Sequence, residues 1–295
     1  MTHRPPFTLL AAAALALATT SLAHADTGKL LLTGGVSTIA GSAGGGLTPW
    51  AVIGSNATEG EVGFSGYVTR AATQDYSLNG YGVAVGLYDR VELSLARQDF
   101  DASPAIALNG IAPFGVTPGQ HIKMDVIGIK VKVAGDAVHE QDTWLPQISV
   151  GLQYKKNNQG PVLAFIGAKD DSGTDFYVSA TKLLLAQGVL LNGTVRFTKA
   201  NQIGILGFGG DRNDSYRPQF EASVAYLLSR KLAIGAEYRT KPNNLGIARE
   251  DDWFDVFVAY QPAKNVSLTL AYVDLGNIVI KDNQRGLYAS LQVGF

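Results

Sequence analysis

Residues Gly286–Phe295 read GLYASLQVGF. Leu287, Ala289, Leu291, Val293 and Phe295 fall on one face; Tyr288, Ser290, Gln292 and Gly294 fall on the other. Successive side chains of a strand point to opposite faces, so this period of two describes a strand with one apolar and one small, polar face. The pattern recurs upstream. In Val266–Val273, Val266, Leu268, Leu270 and Tyr272 oppose Ser267, Thr269, Ala271 and Val273. In Leu232–Thr240, Leu232, Ile234, Ala236 and Tyr238 oppose Ala233, Gly235, Glu237 and Arg239. A soluble sandwich also alternates, but its strands average about five to six residues. Alternating segments of about ten residues, separated by turns, mark a transmembrane β-barrel. Tyr88, Tyr154, Tyr226, Tyr238, Tyr260 and Tyr272 lie near segment ends, where the aromatic girdles of such barrels meet the membrane interfaces.

Connection lengths give a second line of reasoning. Membrane barrels alternate short periplasmic turns with long external loops. Counting back from Phe295 in the periplasm, the connection at 275–285 is long, 262–265 short, 240–252 long and 229–231 short. Further back, 207–218 is long, 186–188 short, 157–173 long, 101–120 long and 89–90 short, with 134–145 intermediate and 73–75 a modest external turn. This alternation accounts for about twelve strands over residues 61–295. The segment 26–60 is glycine-rich and reads either as two more strands, over 29–40 and 48–55, or as a plug inside the barrel. Both readings keep the strand number even, and fourteen is favoured. The fold class is therefore all-β: a transmembrane antiparallel up-and-down barrel of about 12–14 strands.

Composition agrees. Only 17% of residues are charged, the net charge is −1 and glycine numbers 34 of 295. Disorder requires low hydrophobicity and high net charge, and a nucleic-acid binder shows a basic stripe; neither fits. The absence of cysteine removes disulfides, zinc knuckles and thiol catalysis. Residues 1–25 combine basic His3 and Arg4, an apolar run from Phe7 to Ala18 and the small-x-small site Ala23-His24-Ala25. This is the form of a secretory signal peptide cleaved after Ala25, and the run is shorter than the roughly 20 apolar residues of a membrane helix. Export to the outer membrane follows as the expectation.

With the apolar faces toward lipid, alternation turns Glu92, Lys130, Lys132, Lys155, Arg196, Glu221, Glu237, Arg239 and Asp255 into the lumen. Inward charges are costly unless paired or hydrated, so they either line water or pair across a narrow barrel. Three further groups fall in external loops: Lys169, Asp170, Asp171 and Asp175; Asp211, Arg212 and Asp214; and Arg249, Glu250, Asp251 and Asp252. None has the spacing of a calcium loop, and they are expected to be solvated. Gly41–Gly46 lacks the lysine and helix of a phosphate loop. His121 sits at the outer end of a strand, where a lipid-directed base would lie, but no G-x-S-x-G motif surrounds Ser94, Ser149 or any other serine. His139 lies far from His121. No catalytic, cofactor or metal residue is assigned, and no cofactor is expected.

Several segments resemble the proteobacterial family named for domain of unknown function 3034: LLLTGG at Leu30–Gly35, GGLTPWA at Gly45–Ala51, YGVAVGLYDRVELSLARQ at Tyr81–Gln98, LPQISVGLQYKKN at Leu145–Asn157, DDSGTDFYVSATK at Asp170–Lys182 and LGFGGDR at Leu206–Arg212. AEYRTKPNNL at Ala236–Leu245, EDDWFDVF at Glu250–Phe257 and LTLAYVDLG at Leu268–Gly276 continue the resemblance. It implies an outer-membrane barrel and carries no substrate or catalytic residue. The functional expectation is a porin-like channel for passive passage of small solutes. The alternatives are a non-conducting structural or adhesion barrel and, behind it, a lipid-active enzyme using His121. The expected partners are outer-membrane lipid and lipopolysaccharide, the barrel-assembly machinery through Leu287, Ala289, Leu291, Val293 and Phe295, and a small solute, with no nucleic acid. Oligomeric state is open.

Overall fold

The computed structural model describes residues 28–104, 120–247 and 249–295; the signal peptide and its cleavage site lie outside them. Two two-residue strands, β1 (Val36–Ser37) and β2 (Ala43–Gly44), precede twelve long ones. These are β3 (Val62–Thr73), β4 (Ser77–Leu87), β5 (Val91–Asp101), β6 (His121–Ala134), β7 (Gln147–Asn157), β8 (Ser172–Leu184), β9 (Val189–Thr198), β10 (Arg217–Ser229), β11 (Leu232–Arg239), β12 (Trp253–Ala263), β13 (Val266–Asp274) and β14 (Arg285–Gly294). Each long strand pairs with its sequence neighbours, and β14 closes on β3 from Gly286↔Thr73 to Gly294↔Ser65. Phe64 and Phe295 extend the seam by exchanging backbone hydrogen bonds of 2.9 and 2.7 Å. Closure leaves no unpaired edge, which is the condition for strands in a bilayer. An eleven-residue strand such as β5, at about 3.4 Å per residue and about 40° tilt, rises about 28 Å, enough for an apolar band of about 25 Å.

Alternation runs as the sequence requires. In β12, Phe254, Val256, Val258 and Tyr260 are exposed while Trp253, Asp255, Phe257 and Ala259 are buried. All six tyrosines assigned to the girdles are exposed. On β14, Leu287 and Ala289 are exposed and Leu291 half-buried. Val293 is buried: it lines an apolar groove on the outer face with Phe64, Val68, Leu291 and Phe295.

The wall has twelve strands, so the favoured count of fourteen is corrected. β1 and β2 pair with each other and with no wall strand. Residues 33–57 instead run inside the ring, touching it from several sides. Ala51 N–H donates to Thr181 Oγ1 of β8 at 2.7 Å, Gln98 Nε2 of β5 to Ile39 O at 2.9 Å, and Ser37 N–H to Gln292 Oε1 of β14 at 2.5 Å. The glycines explain why this segment is not wall. A Cβ on Gly44 would stand 2.0 Å from Thr48 O, and one on Gly45 would stand 2.3 Å from Glu237 Oε1. The run is built for close approach within a filled lumen, where no side chain fits.

Candidate functional site

The polar inner faces of the strands converge on the inner segment, and two wall carboxylates grip its backbone. Glu92 of β5 accepts from Ala43 N–H at 3.1 Å and Gly54 N–H at 2.7 Å. Lys130 of β6 lies beside it, 3.1 Å from Glu92 Oε2, and donates to Ala43 O at 3.1 Å. Glu237 of β11 accepts from Leu47 N–H at 2.7 Å, Thr48 N–H at 3.3 Å and the Thr48 hydroxyl at 2.5 Å. The Ser223 hydroxyl of β10 completes its shell at 2.9 Å. Between these grips, Thr194 donates to Pro49 O at 2.9 Å, Ser149 to Ala51 O at 2.5 Å and Gln147 to Ala51 O at 2.8 Å. The inner segment thus exposes its backbone groups to the wall as a neighbouring strand would, but side chains answer them.

A second group of wall charges forms one chain of ion pairs. Lys155 and Asp175 meet at 2.7 Å, Arg196 and Asp175 at 3.5 Å, Arg196 and Glu221 at 2.5 Å, and Arg239 and Glu221 at 3.4 Å. Arg196 also lies 4.9 Å from the centre of the Tyr177 ring. All five charged members are buried. Removing a single partner would strand a charge in low dielectric, so the set holds together only as a unit. Asp255 stands opposite Glu237 in the β11–β12 ladder, and its Oδ1 has no hydrogen-bond partner among the described residues. Lys132 differs from the other eight predicted positions. It lies at the barrel end carrying the short turns, half-buried, and pairs with Asp89 at 2.9 Å and Asp136 at 3.3 Å.

The opposite mouth is covered by loops. Between β9 and β10 the chain turns inward at Asn201–Gly204, and Gln202 (φ 44°) and Ile203 (φ 58°) adopt left-handed conformations. Such geometry is rare for a β-branched residue and is held by surrounding contacts. Those contacts are polar: Lys155 donates to Ile203 O at 2.9 Å, Asn157 to Gly204 O at 2.7 Å, Lys241 to Gln202 Oε1 at 2.9 Å, and Gln202 N–H to Glu250 at 2.9 Å. Helix α1 (Gly160–Phe165), opened by a proline in its first turn, adds buried Val162 and Leu163. Burial pulls the Lys241 ammonium down to about 8 and pushes the Glu250 carboxyl up, each shift partly offset by their 3.5 Å pairing.

The sequence profile described as "Protein of unknown function (DUF3034)" matches residues 33–292. The chain belongs to this family. No curated protein matches it. Among solved structures, the KdgM porin is similar at 10% identity and TM-score 0.48, covering 78% of this chain and 99% of that one. The NanC porin gives 10% identity and TM-score 0.48 over 80% and 99%. Outer membrane phospholipase A from Escherichia coli gives 10% and 0.42 over 79% and 92%. Likenesses this distant do not bear on the chemistry of the lumen.

Two assignments made from sequence change. Asp175 was grouped with the external loop charges; it is buried in β8, at the centre of the ion-pair chain. Strand β8 begins at Ser172, so strand parity carried three residues further would have turned Asp175 inward. Glu250 was expected to be solvated and is buried against Lys241 and Gln202. Asp211 and Asp214 do remain exposed, accepting from Gly246 N–H at 2.6 Å and Lys199 at 2.8 Å. His121 meets Asp99 at 2.6 Å, half-exposed at its strand end, while Ser149 is engaged with Ala51 on the inner segment.

Proposed function

We propose that the protein is a gated outer-membrane channel for passive passage of small solutes, closed by residues 26–60 acting as a plug within a barrel formed by 61–295. The observation that carries this reading is the way the inner segment is held. Its backbone is bound to Glu92, Glu237 and a ring of hydroxyl and amide side chains, and polar contacts of this kind exchange readily for water. With the plug displaced, Glu92, Lys130, Lys155, Arg196, Glu221, Glu237, Arg239 and Asp255 would line a hydrated passage of mixed sign, a wall that substitutes for part of a solute's hydration. Export by the N-terminal signal, contact of the outer face with lipid and lipopolysaccharide, and recognition of the C-terminal strand by assembly machinery belong to the same proposal. The protein is proposed to be no enzyme: Asp99 beside His121 would suit a base, but Ser149 is committed to the plug and offers it no free nucleophile.

A non-conducting structural barrel is the second reading, favoured by the buried chain from Lys155 to Arg239. A disulfide separates the two. The Thr48 and Ser223 hydroxyl oxygens are 2.5 Å apart, and the natural chain has no cysteine. Thr48→Cys with Ser223→Cys, refolded into planar bilayers, is expected to be silent when oxidised and to show stepwise conductance when reduced. Silence in both states, with folding verified by heat-modifiable gel mobility, would favour the structural barrel.

A further inference from the structure

Four of the five connections at the short-turn end are brief: 88–90, 185–188, 230–231 and 264–265. The fifth, residues 135–146 between β6 and β7, is long and folded. Asp136 accepts from Val138 N–H at 2.8 Å and His139 N–H at 2.7 Å, and Gln141 Nε2 donates to Val138 O at 2.7 Å and Leu183 O at 2.8 Å. Leu185 N–H donates to Gln141 Oε1 at 3.0 Å. Lys182 of β8 decides which way this loop lies. Its neighbour Thr181 faces the lumen, where its Oγ1 accepts from Ala51 N–H, so parity turns Lys182 to the outer face. Its ladder partner Leu191 is exposed there. Yet Lys182 is only 8% exposed, because the loop covers it: the ammonium donates to Glu140 O and, at 3.1 Å, to Leu145 O. The loop therefore lies against the lipid-facing side of the wall. It carries Trp144 and Leu145, which are 86% and 47% exposed. Exposed Val133, near the end of β6, and exposed Leu185 continue the apolar outer face up to it.

We propose that the β6–β7 loop is a membrane foot: Trp144 and Leu145 seat in the interfacial layer of the leaflet at the short-turn end, the periplasmic side of such barrels, and Lys182 holds the loop in that position. A tryptophan this exposed packs nothing within the barrel. Its ring has an apolar body and one N–H donor, which is why tryptophan gathers where acyl chains meet headgroups. The depth agrees. Lys182 stands two residues from the end of β8, and a lysine on the lipid face is costly at the bilayer midplane but tolerated near the interface. The two loop carbonyls answer its ammonium, so the same contacts that make the lysine acceptable there fold the loop outward onto lipid. The foot fixes how the β6–β8 side of the barrel sits in the bilayer, and it does so whether or not the lumen conducts.

The full chain is refolded into phosphatidylcholine vesicles, and heat-modifiable gel mobility confirms a folded barrel for each variant. Of the three tryptophans, Trp50 and Trp253 are buried inside the ring, so the difference in emission between the parent and Trp144→Phe reads Trp144. Phosphatidylcholine brominated near the glycerol end of its acyl chains should quench that emission about twofold, and lipid brominated near the methyl end should quench it less. Acrylamide should reach Trp144 less readily than it reaches free tryptophan. Lys182→Met releases the two carbonyls and should shift the Trp144 emission to the red, with lipid quenching lowered and acrylamide quenching raised. Lys182→Arg can still donate to both carbonyls and should keep the parent's values. Trp144 emission that acrylamide quenches as fully as free tryptophan, and that neither brominated lipid changes, would overturn the proposal in favour of a water-soluble protein partner. Stronger quenching by the deep bromines than by the shallow ones would overturn the interfacial depth. Parent-like quenching in a folded Lys182→Met barrel would overturn the role given to Lys182.

Discussion

Glu237→Gln isolates the plug's attachment from the integrity of the wall. Glu237 accepts two backbone N–H groups and the Thr48 hydroxyl from the plug, and one hydroxyl from the wall. Its Oε2 serves Leu47 and its Oε1 serves Thr48 and Ser223. A glutamine offers one oxygen, so if that oxygen keeps the Thr48 side, its amide nitrogen confronts the Leu47 N–H, donor against donor. The change removes a buried hydrogen bond, worth about 0.5–1.5 kcal/mol, and leaves a buried N–H unsatisfied at about 1–3 kcal/mol. Allowing for partial relaxation, the closed state should lose about 2–4 kcal/mol, which raises the open population about 30- to 1,000-fold. Single-channel recording on refolded protein reads this as more frequent openings, while the gel shift on heating reports an intact barrel. Glu221→Gln is the control. Glu221 bonds to Arg196 and Arg239 and makes no hydrogen bond to the plug among the described residues; its one link is Arg239, which donates to Leu47 O at 3.3 Å, so it should cost stability and raise opening frequency far less than Glu237→Gln. A Glu237→Gln barrel that folds normally and opens no more often than its parent would refute the idea that this carboxylate latches the plug.

Gly45→Ala should act in the same direction from the other side of the latch, because its Cβ would stand 2.3 Å from Glu237 Oε1; bilayer recordings should show raised opening, matching Glu237→Gln. Glu221→Gln leaves Arg196 and Arg239 without their shared carboxylate and should lower stability by about 3–5 kcal/mol, measured as a shift of the urea midpoint for folding into vesicles. At the mouth, Lys241 titrates near 8 in the folded chain because burial disfavours its charge. The unfolded chain then binds more protons between about pH 8 and 10.5, so stability rises with pH across that window. The thermal midpoint should climb between these pH values, and Lys241→Met should flatten the climb.

The barrel was legible because its signal is local. Parity along GLYASLQVGF or VSLTLAYV needs no knowledge of any other segment, and a period of two over ten residues leaves few soluble alternatives. The same parity placed Glu92, Lys130, Lys155, Arg196, Glu221, Glu237, Arg239 and Asp255 on the inner faces. Long and short connections gave the ends of the barrel for the same reason. The inner segment was less legible. Residues 29–40 and 48–55 have strand-like composition, and only the lack of space beside Gly44 and Gly45 distinguishes a plug from two more staves. Partners across the lumen depend on register summed over many strands, so nothing in the chain near Asp175 announces Lys155, Arg196 and Thr198 as its neighbours. The inturned Gln202–Ile203 turn is equally silent, because its left-handed backbone is held by Lys155 of β7 and by Lys241 and Glu250 of the β11–β12 loop, two other parts of the chain. The sequence by itself determined a membrane barrel with charged inner faces, since alternation is a property of one strand at a time. Tertiary structure alone decided that the lumen is filled and which charges meet, since closure of the ring is what brings distant strands within reach.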